Sequence, residues 1–390
     1  MPMPLEYKGT YRFANHEYTA DVIIGTDGLE IIGTFDHDVI PYADITSFDI
    51  QNHAIRIKTD EGFALISKLG LNCDPFYQEF YSAFNKKVLK ALFIDSGPVF
   101  VTNGEYSYTE EGFSSSGKAA IHLYRDCVCI LPPSDHGRRI PLCFVTGMKD
   151  DATWLEISMD NGDSYKLIRI GHDLAPFKKA LEAQLIALRE RTLSMVRSLC
   201  DGLDTKESLT IAKMIPEGIA APVRDLAKIS DRFVEAMEAR IAESHASESY
   251  VVLKDLCDLG SVCVGIKTEL AGDNNDEGII WMIAPGNVKG VAAVELAVAE
   301  DTAAATFIYR FDNEWDRFKR DLNRAMEAID FKRRVISLTE EELTKEEFSD
   351  YAMAVKRTAA LRFIRGCFTG RVIHSTPESW KRDIFKYLEK

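Results

Sequence analysis

The sequence predicts an α+β chain. Its N-terminal half holds two tandem copies of one small β-barrel or sandwich unit, each closed by a C-terminal helix. A helical connector, a third mixed α/β domain and a helical tail follow. Three observations predict this: a repeat at an offset of about one hundred residues, strand runs of alternating polarity that give way to an apolar stripe of helical spacing, and a change to helical periodicity near Leu193.

The repeat is checked by subtraction. At an offset of 100, Ile40, Pro41, Thr46, Ile57, Asp60 and Gly62 fall on Ile140, Pro141, Thr146, Ile157, Asp160 and Gly162. One residue is then gained, and at 101 Gly70, Pro75 and Phe76 fall on Gly171, Pro176 and Phe177. Nearer the start, at 95, Gly9 and Tyr11 fall on Gly104 and Tyr106. Offsets that rise in order are what one duplicated domain with two loop-length changes produces.

Residues 1–93 open with the strand-like runs YKGTYRF and TADVIIG, followed by turn signals at Thr26–Gly28 and Phe35–Asp38. Ile45–Ile50 and HAIRIKT are further strands, and Asp60-Glu61-Gly62 is a hairpin turn. Asp74-Pro75 reads as a helix start, a capping side chain followed by proline at the first helical position. Phe76, Phe80, Phe84, Val88 and Leu92 then recur every four residues as one apolar stripe.

Residues 94–192 repeat the order with GEYSYTEEGF, KAAIHLYRDCVCIL, RRIPLCFVTGM, TWLEISMD and SYKLIRI as strands. Phe177, Leu181, Leu185 and Leu188 mark the core face of the second closing helix. Residues 193–248 read as a connector of the helices LSMVRSLC, ESLTIAKMI and VRDLAKISDRFVEAMEARIAES, broken at Pro216–Gly218. Residues 249–331 carry four strands and the helix NEWDRFKRDLNRAMEAI. There Phe318-Lys319-Arg320 and Leu322 match Phe177-Lys178-Lys179 and Leu181 at an offset of 141, which leaves open a degenerate third copy. Residues 332–390 read as a basic helical tail: Thr344–Arg365 helical, a turn at Cys367–Gly370, and a last helix opened by Thr376-Pro377.

Several short antiparallel strands closed by one amphipathic helix, in duplicate, resemble tandem bacterial pleckstrin-homology-like domains. The runs MIPEGIAAPVRDLAKI, GIIWMIAPGN and AVKRTAALRFIRGCFTGRVIHSTPESW look like uncharacterised bacterial proteins of that kind. The resemblance implies a binding or scaffold role toward a protein or peptide, through exposed sheet edges and loops. It brings no activity and no functional residues with it.

Composition narrows the classes. At 390 residues the chain is long enough for about two to three domains with their own cores. Its 46% apolar and 28% charged content is that of an ordinary globular protein. The net charge of −14 is uneven: residues 332–390 hold 13 Lys and Arg against 9 Asp and Glu, a local +4 that leaves −18 on residues 1–331. Eight scattered cysteines without CxxC, no basic-then-apolar N-terminus and no apolar run of spanning length point to a cytoplasmic chain with reduced thiols and no membrane span.

Motifs with chemistry are sparse. The chain has no phosphate-binding glycine loop, nucleophile elbow or HExxH, so no enzyme class and no cofactor is implied. Asp273–Gly278 imitates the start of a calcium loop, but Ala284 stands where the bidentate glutamate belongs, so no metal is expected there. Cys127 and Cys129 share one strand face and read as core, and His122 as a hydrogen-bonded strand histidine. The loop His136–Arg139 offers Arg138 and Arg139 to an anion. Its counterpart Phe35–Asp38 is acidic, which argues against lipid headgroups. In the tail Arg357, Arg362, Arg365 and Arg371, interleaved with Leu361, Phe363 and Phe368, would either meet nucleic acid or an acidic partner, or pack on the acidic body of the chain.

Overall fold

The computed structural model describes residues 5–244, 246–257, 261–268, 278–287, 289–297, 305–312 and 314–388. It is α+β, with two curled seven-stranded antiparallel sheets, a six-stranded antiparallel sheet and flanking helices. The chain divides into two compact units, one of Met1–Leu181 with Leu338–Ala359, the other of Glu182–Ser337 with Ala360–Lys390.

In the first unit, sheet one comprises β1 (Leu5–Phe13), β2 (His16–Ile24), β3 (Gly28–Gly33), β4 (His37–Pro41), β5 (Ile45–Gln51), β6 (Ala54–Thr59) and β7 (Gly62–Ser67). Their spatial order is β4-β3-β2-β1-β7-β6-β5, a four-strand meander joined to a three-strand meander through β1 and β7. Sheet two comprises β8 (Phe100–Glu110), β9 (Phe113–Leu123), β10 (Cys127–Leu131), β11 (Arg138–Pro141), β12 (Val145–Asp150), β13 (Trp154–Met159) and β14 (Ser164–Ile168). Its order, β11-β10-β9-β8-β14-β13-β12, is the same seven positions on.

The repeated glycines have repeated physical causes. A Cβ on Gly9 would sit 2.9 Å from the Ser67 carbonyl, and one on Gly104 would sit 2.9 Å from that of Ile168, so both strands cross a neighbour too closely for a side chain. Gly70 and Gly171 take left-handed φ values of +60° and +70° in the single turns that feed the closing helices.

Those helices are α1 (Cys73–Ala91) and α2 (Leu174–Leu199). Asp74 does not cap α1. The turn at Gly70–Asn72 leads straight into the helix, the Cys73 N–H bonding the Gly70 carbonyl, and Asn72 makes no side-chain cap. Phe76, Phe80, Phe84 and Val88 are buried on α1, with the Phe48 ring from β5 centred 4.4 Å from that of Phe80 and tilted 41° to it. The opposite side of α1 is also covered: the Tyr81 hydroxyl donates to the Leu131 carbonyl and accepts from the Ala120 N–H at 3.0 Å. Cys127, Cys129 and Leu131 therefore join the core of sheet one, and β10 is buried on both faces.

Two element boundaries differ from the sequence reading. KAAIHLYRDCVCIL is two strands, because Arg125-Asp126 forms a tight turn closed by Tyr124 N–H to the Cys127 carbonyl at 2.8 Å. The helix closing sheet two runs past residue 192 without a break to Leu199.

The second unit holds β15 (Ala221–Pro222), β16 (Cys263–Thr268), β17 (Gly278–Pro285), β18 (Val291–Ala297), β19 (Ala305–Arg310) and β20 (Phe368–Ile373), paired in simple sequential order. That order differs from the order of the seven-stranded sheets: β16 to β19 form a sequential meander as β1 to β4 do, but among the described residues without the three-strand meander that β5, β6 and β7 add. Helices α3 (Thr205–Met214), α4 (Val223–Ala227), α5 (Asp231–Ala242), α6 (Ser247–Leu256) and α7 (Trp315–Ala328) accompany the sheet. The run VRDLAKISDRFVEAMEARIAES is thus two helices, α4 and α5, separated at Lys228–Ser230.

The remaining 59 residues are not one helical tail. They form α8 (Arg334–Ser337), α9 (Glu340–Leu343), α10 (Ser349–Arg357), α11 (Ala359–Cys367), the strand β20 and α12 (Pro377–Leu388). The stretch expected to turn at Cys367–Gly370 is strand, since β19 offers Phe368 and Val372 a pairing edge that local propensity does not reveal. Thr376 does cap α12, accepting from the Ser379 N–H at 3.3 Å.

Candidate functional site

In the first unit the turn after β2, the edge strand β4 and the α9–α10 segment enclose a groove of about 910 Å³. Thr339 and Glu342 form a reciprocal cap that starts α9. Lys87 on α1 then fastens α10: its ammonium is 2.5 Å from Asp350 and 2.5 Å from Asp27. Burial opposes the charge on Lys87, but its hydrogen bonds to Asp27 and Asp350 prevail and hold its pKa above the ordinary value. At the far end Lys356 reaches Asp60 at 2.9 Å. The groove therefore has fixed walls.

Its lining combines apolar Val39, Pro41, Ala43, Leu343, Ala352 and Val355 with acidic Asp27, Glu30, Asp44, Glu340 and Glu346, against two lysines, Lys345 and Lys356. Asp44 shows the crowding. Burial raises its pKa, Lys356 works against this, and neighbouring Asp60 and Glu61 raise it further. Among the described residues β4 pairs only with β3, and His37, Asp38 and Val39 are exposed, so there one long wall of the groove is an open strand edge.

The opposite edge of sheet one, β5, is occupied. The Phe48 N–H donates to the Pro133 carbonyl at 2.9 Å, the Asp135 N–H donates to the Thr46 carbonyl at 3.0 Å, and Ser47 pairs with Ser134. The loop between β10 and β11 is thus laid on β5 as a short added strand. Among the described residues the counterpart of β5 in sheet two, β12, pairs only with β13, and Thr146, Gly147 and Lys149 are exposed.

The arginines singled out from the sequence are distributed between the units. Arg138, Arg139 and Arg357 lie in the first, Arg362, Arg365 and Arg371 in the second. Arg138 is buried, bonds Glu110 at 2.6 Å and lies 5.1 Å from the centre of the Tyr108 ring. Arg139 bonds Asp126 at 2.6 Å. Neither presents a free guanidinium to a headgroup. Arg357, at the end of α10, is only 2% exposed. It donates to the Met353 carbonyl at 3.3 Å, while its Nε and one Nη find no partner among the described residues. Burial lowers its pKa to about 10, with Asp135 opposing and Arg138 reinforcing the shift. Arg365 donates to the Val335 carbonyl, and Arg362 and Arg371 are exposed. Leu361 and Ile364 are buried, so the apolar side of α11 is core and not a displayed surface.

In the second unit a second polar cluster lies within the core. Glu295 on β18 is fully buried and accepts from Thr306 at 2.6 Å and from His374 at 2.8 Å, while the Trp380 indole donates to Thr306 at 2.9 Å. Burial works to raise the Glu295 pKa, but His374, Arg333 and Thr306 outweigh it and hold the carboxyl below its ordinary value. Both Thr306 and Glu295 contact the same ring nitrogen of His374, which leaves no base oriented toward a free hydroxyl. The cluster fastens α12 to the sheet.

Cys127 and Cys129 are both fully buried, and burial pushes the Cys127 thiol up. His122 bonds the Tyr124 hydroxyl at 3.1 Å. The acidic run from Asp273 to Glu277 lies outside the described residues. No described helix is long and apolar enough to cross a membrane. No family model matches the chain, and no curated protein matches it.

Nothing in the sequence singled out the groove. Its residues come from separate stretches, and long-range contacts place Glu340–Lys356 in the first unit: the bonds of Lys87 and Lys356, the burial of Met353 in the core of sheet one and the Tyr351–Phe93 ring pair.

Proposed function

We propose that this chain is a non-enzymatic binding protein of the tandem pleckstrin-homology-like type, and that its groove takes an extended, cationic segment of a partner protein. The carrying observation is the open edge of β4 beside a lining of apolar residues and mostly acidic charged ones. A strand added to β4 gains main-chain hydrogen bonds, its alternate apolar side chains reach the apolar part of the lining, and intervening Lys or Arg meet Glu30, Glu340 and Glu346. The strand order and closing helices support the domain class, since a half-barrel capped at one end leaves edges and loops free for partners. A nucleic-acid reading has weaker support, because Arg138, Arg139, Arg357 and Arg365 are engaged with the protein itself.

The test is a fluorescence-anisotropy titration of labelled peptides alternating Lys or Arg with Val or Leu, beside an alternating Glu series and a DNA duplex. The cationic series binds, weakens as salt rises, and loses affinity at least tenfold in a Val39→Pro, Glu340→Lys double variant. Binding of the duplex in preference to the peptides overturns the reading.

A further inference from the structure

We propose that the chain associates with copies of itself, the loop between β3 and β4 of one molecule adding as a strand to β12 of the next. The inference stands on the quasi-equivalence of the two seven-stranded sheets and not on the groove. Within one chain the β10–β11 loop already occupies the edge of β5 through Pro133, Ser134 and Asp135. That contact uses a loop of sheet two and an edge of sheet one. It leaves one loop and one edge of the same kinds unused.

The unused edge has the geometry of the occupied one. β5 carries a register shift between Ile45 and Ser47, and β12 carries the same shift between Val145 and Gly147. Thr46 bonds the Lys58 carbonyl at 3.2 Å, and Thr146 bonds the Ser158 carbonyl at 3.1 Å. The backbone groups of Thr146 and Met148 therefore stand as those of Thr46 and Phe48 do, without a strand beside them.

The unused loop is one residue shorter and closes as a tight turn, the Gly33 N–H donating to the Asp36 carbonyl at 2.8 Å. Counted from the paired positions Gly28–Pro41 and Cys127–Pro141 along β3 and β10, Phe35 stands in the place of Ser134. Phe35 is 97% exposed, an unusual position for a phenyl ring at a loop tip. Transferring the intrachain register puts Phe35 opposite Gly147, where Ser134 stands opposite Ser47. A side chain added at Gly147 would meet nothing within 4 Å, so there is room for the ring. A large residue facing a glycine across a strand pair buries apolar area that a serine pair does not. Because the two surfaces lie on different sheets of one chain, the contact is heterologous and propagates head to tail unless it closes on itself.

The experiment uses the full chain. Light scattering across a concentration series gives a mass that rises above 43.8 kDa for the unaltered protein and stays there for Phe35→Asp, whose exposed position leaves the melt unchanged. Phe35→Cys and Gly147→Cys variants, mixed under mild oxidation, form a disulfide-linked pair containing one of each, beyond the background that the native thiols give. A mass of 43.8 kDa at every concentration overturns the proposal. So does association that survives Phe35→Asp and yields no mixed disulfide. Peptide binding in the groove is measured separately, so loss of either result leaves the other standing.

Discussion

The Phe48 N–H donates to the Pro133 carbonyl at 2.9 Å, joining the edge strand of one sheet to a loop of the next. With the reciprocal bond from Asp135, it makes the two repeated domains one folding unit. The shared helix α1, buried against both sheets, does the same from the inside.

Removing that reciprocal bond should loosen the pair. Asp135→Pro deletes the N–H that reaches Thr46, and is expected to cost about 1 kcal/mol more than Asp135→Ala, which removes the carboxylate alone. Urea melts of the two variants measure the difference. Equal stabilities would mean that the backbone bond contributes nothing.

Lys87→Met should release α10. The substitution keeps the aliphatic stem but leaves Asp27 without its ammonium partner and Asp350 with Lys90 alone, at 2.7 Å. A loss of about 2 kcal/mol is expected, in the range for a hydrogen bond to a charged group. Faster amide exchange over Glu346–Arg357 should accompany it. Exchange that quickens elsewhere, and not there, would show that Lys87 does not hold this segment.

Arg357→Met should leave stability unchanged or raise it by about 1 kcal/mol, because a buried guanidinium with unpartnered nitrogens is traded for an apolar chain of similar length. The pH dependence has a definite sign. With the folded pKa lowered to about 10 from the ordinary guanidinium value, the arginine is charged in both states near neutrality and the burial penalty is fully present there. The advantage of the Met variant should therefore be flat across neutral pH and shrink only above about pH 10, in thermal melts of both proteins. A destabilised variant would reveal a pairing that the geometry does not contain.

Glu295 should matter in acid. Its folded pKa lies below the ordinary 4.5, so the unfolded chain takes up the proton first as pH falls. The stability that the charged carboxylate contributes is present above 4.5 and is lost as pH drops through the lower folded value. Glu295→Gln should be less stable than the unaltered protein at neutral pH, with the gap closing in acid. A gap that widens on acidification would reverse the assigned direction.

Much of the architecture was written locally. The duplicated glycines, prolines and apolar residues mark positions that backbone sterics and side-chain period dictate, and these are short-range constraints. Gly9 and Gly104 each cross a neighbouring strand, and Phe76, Phe80 and Phe84 each face a sheet, whatever else surrounds them. What local sequence does not carry is partnership between distant stretches. Phe368–Ile373 reads as a turn until β19 supplies an edge to pair with. Arg357 reads as either a displayed or a docked cation until α10 packs it into the first unit. Glu340–Lys356 reads as part of a tail until Lys87 draws it beside β4 and makes a groove. The sequence by itself determined the repeated unit, because period and sterics act between near neighbours. Only the tertiary structure decided which edges are closed and which are open, because that depends on ion pairs and hydrogen bonds between residues tens to hundreds of positions apart.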